Sequence, residues 1–188
     1  FAVNKKMAFQ GILSDLGIQP KGYLLATIHR AENTDDILRL KNILSAFESL
    51  GETIVFPVHP RTRKLLRDEG YRPEKDIRLI DPVGYFDIIA LEKSARLILT
   101  DSGGMQKEAY WLKVPCITLR DETEWIETRE TGWNILVGAD RDRIIHAVRF
   151  FKTPAEHPAL YGDGKASVQC VKVLIKCGKE IIKKKGRS

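Results

Sequence analysis

The chain has 188 residues, 43% of them hydrophobic, which is enough to bury a core and sets a prior of one domain. No apolar run approaches the roughly 20 residues of a membrane span, and the three cysteines, Cys116, Cys170 and Cys177, lack metal-ligand spacing and read as reduced core thiols of a cytoplasmic protein. The net charge of +6 sits largely in a tail of Lys176, Lys179, Lys183, Lys184, Lys185 and Arg187, with no basic stripe interleaved with aromatics, so it argues against a nucleic-acid partner and suits an anionic small substrate.

The sequence opens on FAVNKKMAFQ, without Met and without a signal-peptide layout, so the expectation is a domain of a longer chain. Apolar residues three or four apart, from Val3 to Leu16, predict a helix over 3–17 that Gly17 ends. Tyr23 to His29 is a near-continuous apolar strand, as expected where both faces of a sheet are covered. Asp35 or Asp36 caps a helix through Leu50, and Gly51 stops it. Thr53 to Val58 is the second strand, with Pro57 marking its end. A helix from Pro60 to about Asp68, a strand over Ile77–Ile80 and a helix over 85–94 follow.

Residues 97–109, LILTDSGGMQKEA, hold the densest signal. Leu97 to Thr100 reads as a buried strand, Asp101 to Gly104 as a turn, and Met105 to Lys113 as a helix. A strand, a Gly-rich turn and a helix aim free backbone N–H groups and the positive helix end at one point, where a phosphate fits. Ser102, Gly103 and Gly104 are the candidate phosphate turn, although an ordinary strand-to-helix turn has the same look. Glu108 lies about 6 Å further along the helix than Gly104 by helical rise. A carboxylate there can accept both hydroxyls of a ribose.

Beyond it, Pro115 to Leu119 and Asn134 to Val137 are strands, with a short helix ending near Gly132 between them. Asp140 starts a helix with Ile144, Ile145, Val148 and Phe151 inward. A last helix covers 164–183. Six strands alternating with helices predict a doubly wound, Rossmann-like parallel sheet in the order 3-2-1-4-5-6. Domain bounds follow: a connecting helix over 1–20, the sheet domain over 21–163, and a terminal helix with its basic tail over 164–188. In that order strands 1 and 4 lie side by side, and ligands bind beyond their C-terminal ends.

His29 and Arg30 follow strand 1 and therefore face the turn after strand 4. Arg30 can take a phosphate oxygen, and a histidine adds a group that titrates near neutral pH. Asn33 reads as a helix cap. His59 lies one strand away, as apt for a structural role as for a ligand. Arg120 opens a charged run after strand 5 that either lines a pocket mouth or begins a solvated helix. Tyr85 and Phe86 lie at the crevice rim, where an aromatic can stack on a base; core packing is the commoner fate. There is no zinc spacing, no P-loop lysine and no dinucleotide fingerprint, so neither a P-loop nor a dinucleotide site is indicated.

The ordered set TIHRAEN, VHPRTR, LTDSGGMQKEA, LRDETEW and GWNILVG resembles the non-hydrolysing UDP-N-acetylglucosamine 2-epimerases over roughly residues 10–150. The resemblance implies the C-terminal, UDP-binding half of a GT-B-like enzyme of two Rossmann-like domains. It implies no cofactor, a UDP-sugar substrate, an N-terminal half of the same enzyme as partner, and a homodimer when full length. His29 matches the family's active-site histidine, Ser102, Gly103 and Gly104 its phosphate turn, Glu108 its ribose carboxylate and Tyr85 its aromatic near the base. Trp125 and Ile126 stand where the best-known members carry arginine and proline, which points toward epimerases of UDP-2,3-diacetamido-glucuronate. The nucleotide half of a GT-B glycosyltransferase is a further alternative. Because the family's acid–base carboxylates come from the N-terminal half, this chain alone is expected to bind UDP weakly and not to epimerise.

Overall fold

The computed structural model describes residues 8–162 and 164–185. The start of the helix expected over 3–17, residue 163 and the last three residues of the basic tail lie outside these. Contacts divide the chain into two units, Phe1–Glu156 and His157–Ser188.

In the first unit the order is α1 (Ala8–Asp15), β1 (Leu24–Thr27), α2 (Ala31–Thr34), α3 (Ile37–Leu50), β2 (Ile54–Pro57), α4 (Pro60–Asp68), β3 (Ile77–Ile80) and α5 (Tyr85–Ser94). Then come β4 (Leu97–Thr100), α6 (Gly103–Trp111), β5 (Cys116–Thr118), α7 (Ile126–Glu130), β6 (Asn134–Leu136) and α8 (Arg141–Phe150). Every strand pairing is parallel, and the sheet runs β3-β2-β1-β4-β5-β6, the expected doubly wound order.

The inner strands read as apolar runs because they feed two cores. Successive side chains point to opposite faces. Leu24 and Ala26 of β1, with Leu97 and Leu99 of β4, enter one core beside Leu40, Phe47 and Ile144. Leu25 and Ile98 enter the other, beside Leu91, Met105 and Ala109. Helix ends follow the local chemistry. The Asp36 carboxylate accepts the N–H groups of Leu38 and Arg39 at 2.9 and 3.2 Å, and Gly51 closes α3 at φ 63°.

Three expectations are corrected. The stretch after strand 1 contains a four-residue helix, α2, because Arg30 O accepts from both Asn33 N and Thr34 N at 3.0 Å. Helix α6 starts at Gly103 rather than Met105, because Ser102 caps it by accepting Met105 N–H at 3.4 Å. Only Cys116 is a core thiol; burial pushes it up to about 12. Cys170 and Cys177 are exposed. They lie in the second unit, on α9 (Ala166–Lys185), which also exposes Val168, Val171 and Leu174.

Candidate functional site

The site forms where β1 and β4 end together. Their register aligns Thr27 with Thr100, and the two hydroxyls meet at 2.6 Å. Thr100 Oγ1 also accepts Ser102 N–H at 2.9 Å, which bends the chain from β4 into α6. Parallel pairing thus delivers the segments after both strands to one place, as the topology requires.

Asp101 joins them. It is fully buried, and its carboxylate accepts the backbone N–H of His29 at 3.1 Å and of Arg30 at 3.0 Å. The Asn33 side-chain amide donates to it at 3.2 Å and to Leu119 O at 2.8 Å. Asn33 is therefore a buried tie between β1, β4 and β5 rather than a cap. The His29 ring lies along the same carboxylate, with Nδ1 3.3 Å from Asp101 Oδ1. Asp101 consequently sets both the backbone after β1 and the face the imidazole presents. The sequence reading passed over it as part of the turn.

His29, His59, Ser102, Met105, Val83 and Ile88 line a crevice of about 260 Å³. The His29 and His59 rings stand 6.4 Å apart. His59 has a structural role as well, because its ring accepts Arg61 N–H at 3.3 Å and caps α4. A larger depression, about 370 Å³, lies against the edge strand β6 and α8, away from the ends of β1 and β4.

At the turn after β4, Gly103 and Gly104 are the first two residues of α6, whose N–H groups have no helical carbonyl to reach. Gly104 is open: a Cβ there would meet only Ser102 Oγ, at 3.8 Å. Gly103 is packed. A Cβ would come within 3.4 Å of Glu124 Oε2 and Trp125 Nε1, and within 3.6 Å of Arg30 Nη2. The turn therefore sits between Arg30 and Glu124, two groups of opposite charge.

Arg120 is nearly buried and donates to both Glu124 oxygens, at 3.1 and 2.9 Å, with Glu32 at 3.7 Å and Glu122 at 3.9 Å. Its hydrogen bonds to Glu124 raise its already high pKa. The same bond holds Glu124 below the usual carboxylate range, helped by Arg30. Arg120 thus acts here through an ion pair that shapes the turn's outer wall.

Glu108, half-buried on α6, receives the Tyr85 hydroxyl at 3.4 Å, a long contact. Burial raises its pKa, against the opposing effects of Tyr85 and Glu92. Tyr85 and Phe86 are 64% and 60% exposed, so the expected core packing is overturned for both. Gly84 ends the loop and starts α5 there, leaving two aromatic rings, 6.0 Å apart, on the rim. Glu92 of α5, on which the Glu108 carboxylate acts, was missed in the sequence. It is fully buried, and neither oxygen receives a hydrogen bond from an N–H group or a hydroxyl. Among the described residues no helix is long and apolar enough to cross a membrane, and no group of acids, histidines or cysteines could hold a metal ion.

This geometry has relatives. The model of a family described as UDP-N-acetylglucosamine 2-epimerase matches residues 2–175. A UDP-N-acetylglucosamine 2-epimerase homolog of Methanococcus maripaludis is 51% identical over 168 residues, which are 87% of this chain and 47% of that protein. The UDP-2,3-diacetamido-2,3-dideoxy-D-glucuronate 2-epimerase of Pseudomonas aeruginosa is 44% identical over 173 residues, 89% of this chain and 48% of that one. The crystal structure of the Methanocaldococcus jannaschii UDP-GlcNAc 2-epimerase in complex with UDP-GlcNAc and UDP matches with a TM-score of 0.79 at 41% identity, over 92% of this chain and 49% of that one. The chain spans about half the length of these relatives. With its family model, its fold and its strand-end motifs in agreement, the chain belongs to the UDP-N-acetylglucosamine 2-epimerase family.

Proposed function

We propose that this chain is the UDP-binding, C-terminal half of a UDP-N-acetylglucosamine 2-epimerase, interconverting UDP-GlcNAc and UDP-ManNAc. The observation that carries this reading is the convergence, through Asp101, of His29 and Arg30 with the open N-terminus of α6. The diphosphate lies at Ser102, Gly103 and Gly104, where unpaired amides and the helix dipole favour an anion. Arg30 neutralises it from the opposite side. Glu108 accepts the ribose diol, and Tyr85 packs against the base.

The reaction removes the proton at C2 of the sugar while the C1–O bond to UDP breaks, which leaves a glycal. UDP then adds back to C1, and a proton returns to C2 on the other face. His29, in contact with the Asp101 carboxylate, is placed to stabilise the negative charge that collects on the departing UDP. The acid–base carboxylates belong to an N-terminal half, a partner this chain requires for turnover; the full-length enzyme is a cytoplasmic homodimer. A second reading, an epimerase of UDP-2,3-diacetamido-glucuronate, is favoured by Trp125 beside Gly103 and by the likeness to the Pseudomonas enzyme.

Calorimetric titration of the chain with UDP, UDP-GlcNAc and uridine tests the site. UDP is expected to bind, uridine to bind much less, and Glu108→Ala to cost about 1–3 kcal/mol of UDP affinity, as loss of charged hydrogen bonds does. Equal binding of uridine and UDP would remove the phosphate turn from the site. Measurable epimerisation by the 188-residue chain alone would overturn the need for the N-terminal half.

A further inference from the structure

Glu92 is an unusual residue to find where it is. It lies near the end of α5, whose neighbours on the buried side are Ala90 and Leu91. Its side chain is fully buried, and neither oxygen receives a hydrogen bond from an N–H group or a hydroxyl. An isolated buried carboxylate is expensive, so the group keeps a proton or finds a cation. The neighbour it faces is another acid. Helix α5 packs against α6, and Glu108 of α6 meets the hydroxyl of Tyr85, which stands seven residues before Glu92, two helical turns away on the same face of α5. Burial first, and then the Glu108 carboxylate, holds Glu92 up at about 9.

Among the described residues, the charged group that acts on Glu92 is the Glu108 carboxylate and not a cation. Cys116 on β5 and Tyr85 on α5 both feel Glu92, and both stay protonated at neutral pH. Lys21 spends its ammonium on Lys93 O and Ala95 O at the end of α5. From α1, which also packs on α5, the charged residue among the described side chains is Asp15, and it is exposed.

We propose that Glu92 is the positioning residue for Glu108: a buried carboxylic acid whose proton faces the Glu108 carboxylate, supports its single negative charge from below and leaves its outward side to the ribose diol. The pair shares one proton, because two carboxylates in contact resist ionising together. The proposal rests on the reading of Glu108 as the ribose carboxylate. It adds that the strength of the ribose grip depends on a second acid that never touches the nucleotide. Ionising Glu92 removes the proton that positions Glu108 and sets a like charge behind it, so the two carboxylates repel and Glu108 loses the placement that serves the ribose. The consequence is an affinity that falls in mild alkali for a reason internal to the domain.

Two isosteric variants test this. Carboxyl carbon NMR of the full 188-residue chain, titrated with pH, is expected to show Glu92 ionising far above the surface carboxylates, with a midpoint that drops in Glu108→Gln. A Glu92 midpoint among the surface acids, or one indifferent to Glu108→Gln, overturns the shared proton. UDP affinity is then measured from about pH 7 to about pH 9.5, the span in which an acid of this strength ionises. The wild-type chain is expected to lose at least about threefold more affinity over that span than Glu92→Gln, whose amide keeps a donor toward Glu108 and cannot ionise. The uracil imide also ionises in alkali, but equally for both proteins, so the difference isolates Glu92. Parallel profiles overturn the positioning role. If neither protein binds UDP while the NMR midpoints behave as expected, the ribose reading of Glu108 fails and the shared proton stands.

Discussion

At the end of β4, Asp101 is buried among donors; across the α5–α6 contact, Glu92 is buried without them. The same functional group, equally removed from water, has been accommodated in two ways. Asp101 is satisfied by backbone N–H groups from the segment after β1 and by the Asn33 amide. It holds the crevice in shape, and its partners are fixed by the fold. Glu92 avoids the cost of a buried charge by staying protonated, which leaves it chemically poised. A buried acid with donors is a strut. One without donors is a reservoir for a proton, and its neighbours decide what that proton does.

The largest effect expected from breaking this contrast comes from Asp101→Ala. It leaves the N–H groups of His29 and Arg30 and the Asn33 amide without their acceptor. Buried donors without partners cost about 1–3 kcal/mol each. Even with partial relaxation, a loss of about 3 kcal/mol or more is expected in urea denaturation. A loss below about 1 kcal/mol would mean that the crevice does not depend on this carboxylate.

Glu92 responds in the opposite sense. Its proton is retained in the folded chain from the ordinary value of 4.5 up to about 9, a window in which the unfolded chain has already lost it. The folded state then binds more protons than the unfolded one, so stability is greatest below that window and falls as pH rises through it. Glu92→Met is expected to flatten this slope and to make the domain more stable than wild type at the alkaline end. Thermal melts at several pH values check it. A variant that is less stable than wild type across the whole window would place Glu92 with Asp101 among the struts.

The two acids also differ in how far the sequence betrays them. The sheet is legible because strands buried on both faces become apolar runs, and because Asp36, Gly51, Ser102 and Asp140 punctuate the helices. His29, Arg30 and the Ser102–Gly104 turn are legible once the strand order is, since topology places strand ends. Asp101 was visible in the turn, but its function was not. Its donors lie about 70 residues earlier, and only the Thr27–Thr100 register brings them together. Asn33 looked like a cap because caps are local, whereas its partners are Asp101 and Leu119. Glu92 drew no notice within the helix expected over 85–94. Nothing in residues 85–94 announces that α6 covers that face, and the periodicity of α5 is carried by its aliphatic residues alone. Tyr85 misled in the other direction, since an aromatic at a helix start usually packs inward.

A third acid sharpens the contrast with the smallest effect. Glu124 is paired with Arg120 at 2.9 Å, sits over half exposed, and lies beside Gly103 at the turn after β4. Its partner, not its burial, keeps it ionised at neutral pH. If the turn takes a diphosphate, this carboxylate is a like charge at its edge, and it competes with the ligand for Arg30 and Arg120. Glu124→Gln is therefore expected to tighten UDP binding by about two- to fivefold, the scale of an exposed charge interaction, and to leave uridine unchanged. The gain should shrink as salt is raised, because the groups are open to solvent. If UDP binds more weakly instead, the Arg120–Glu124 pair is needed to hold the wall of the turn, and Glu124 belongs with Asp101 as part of the frame.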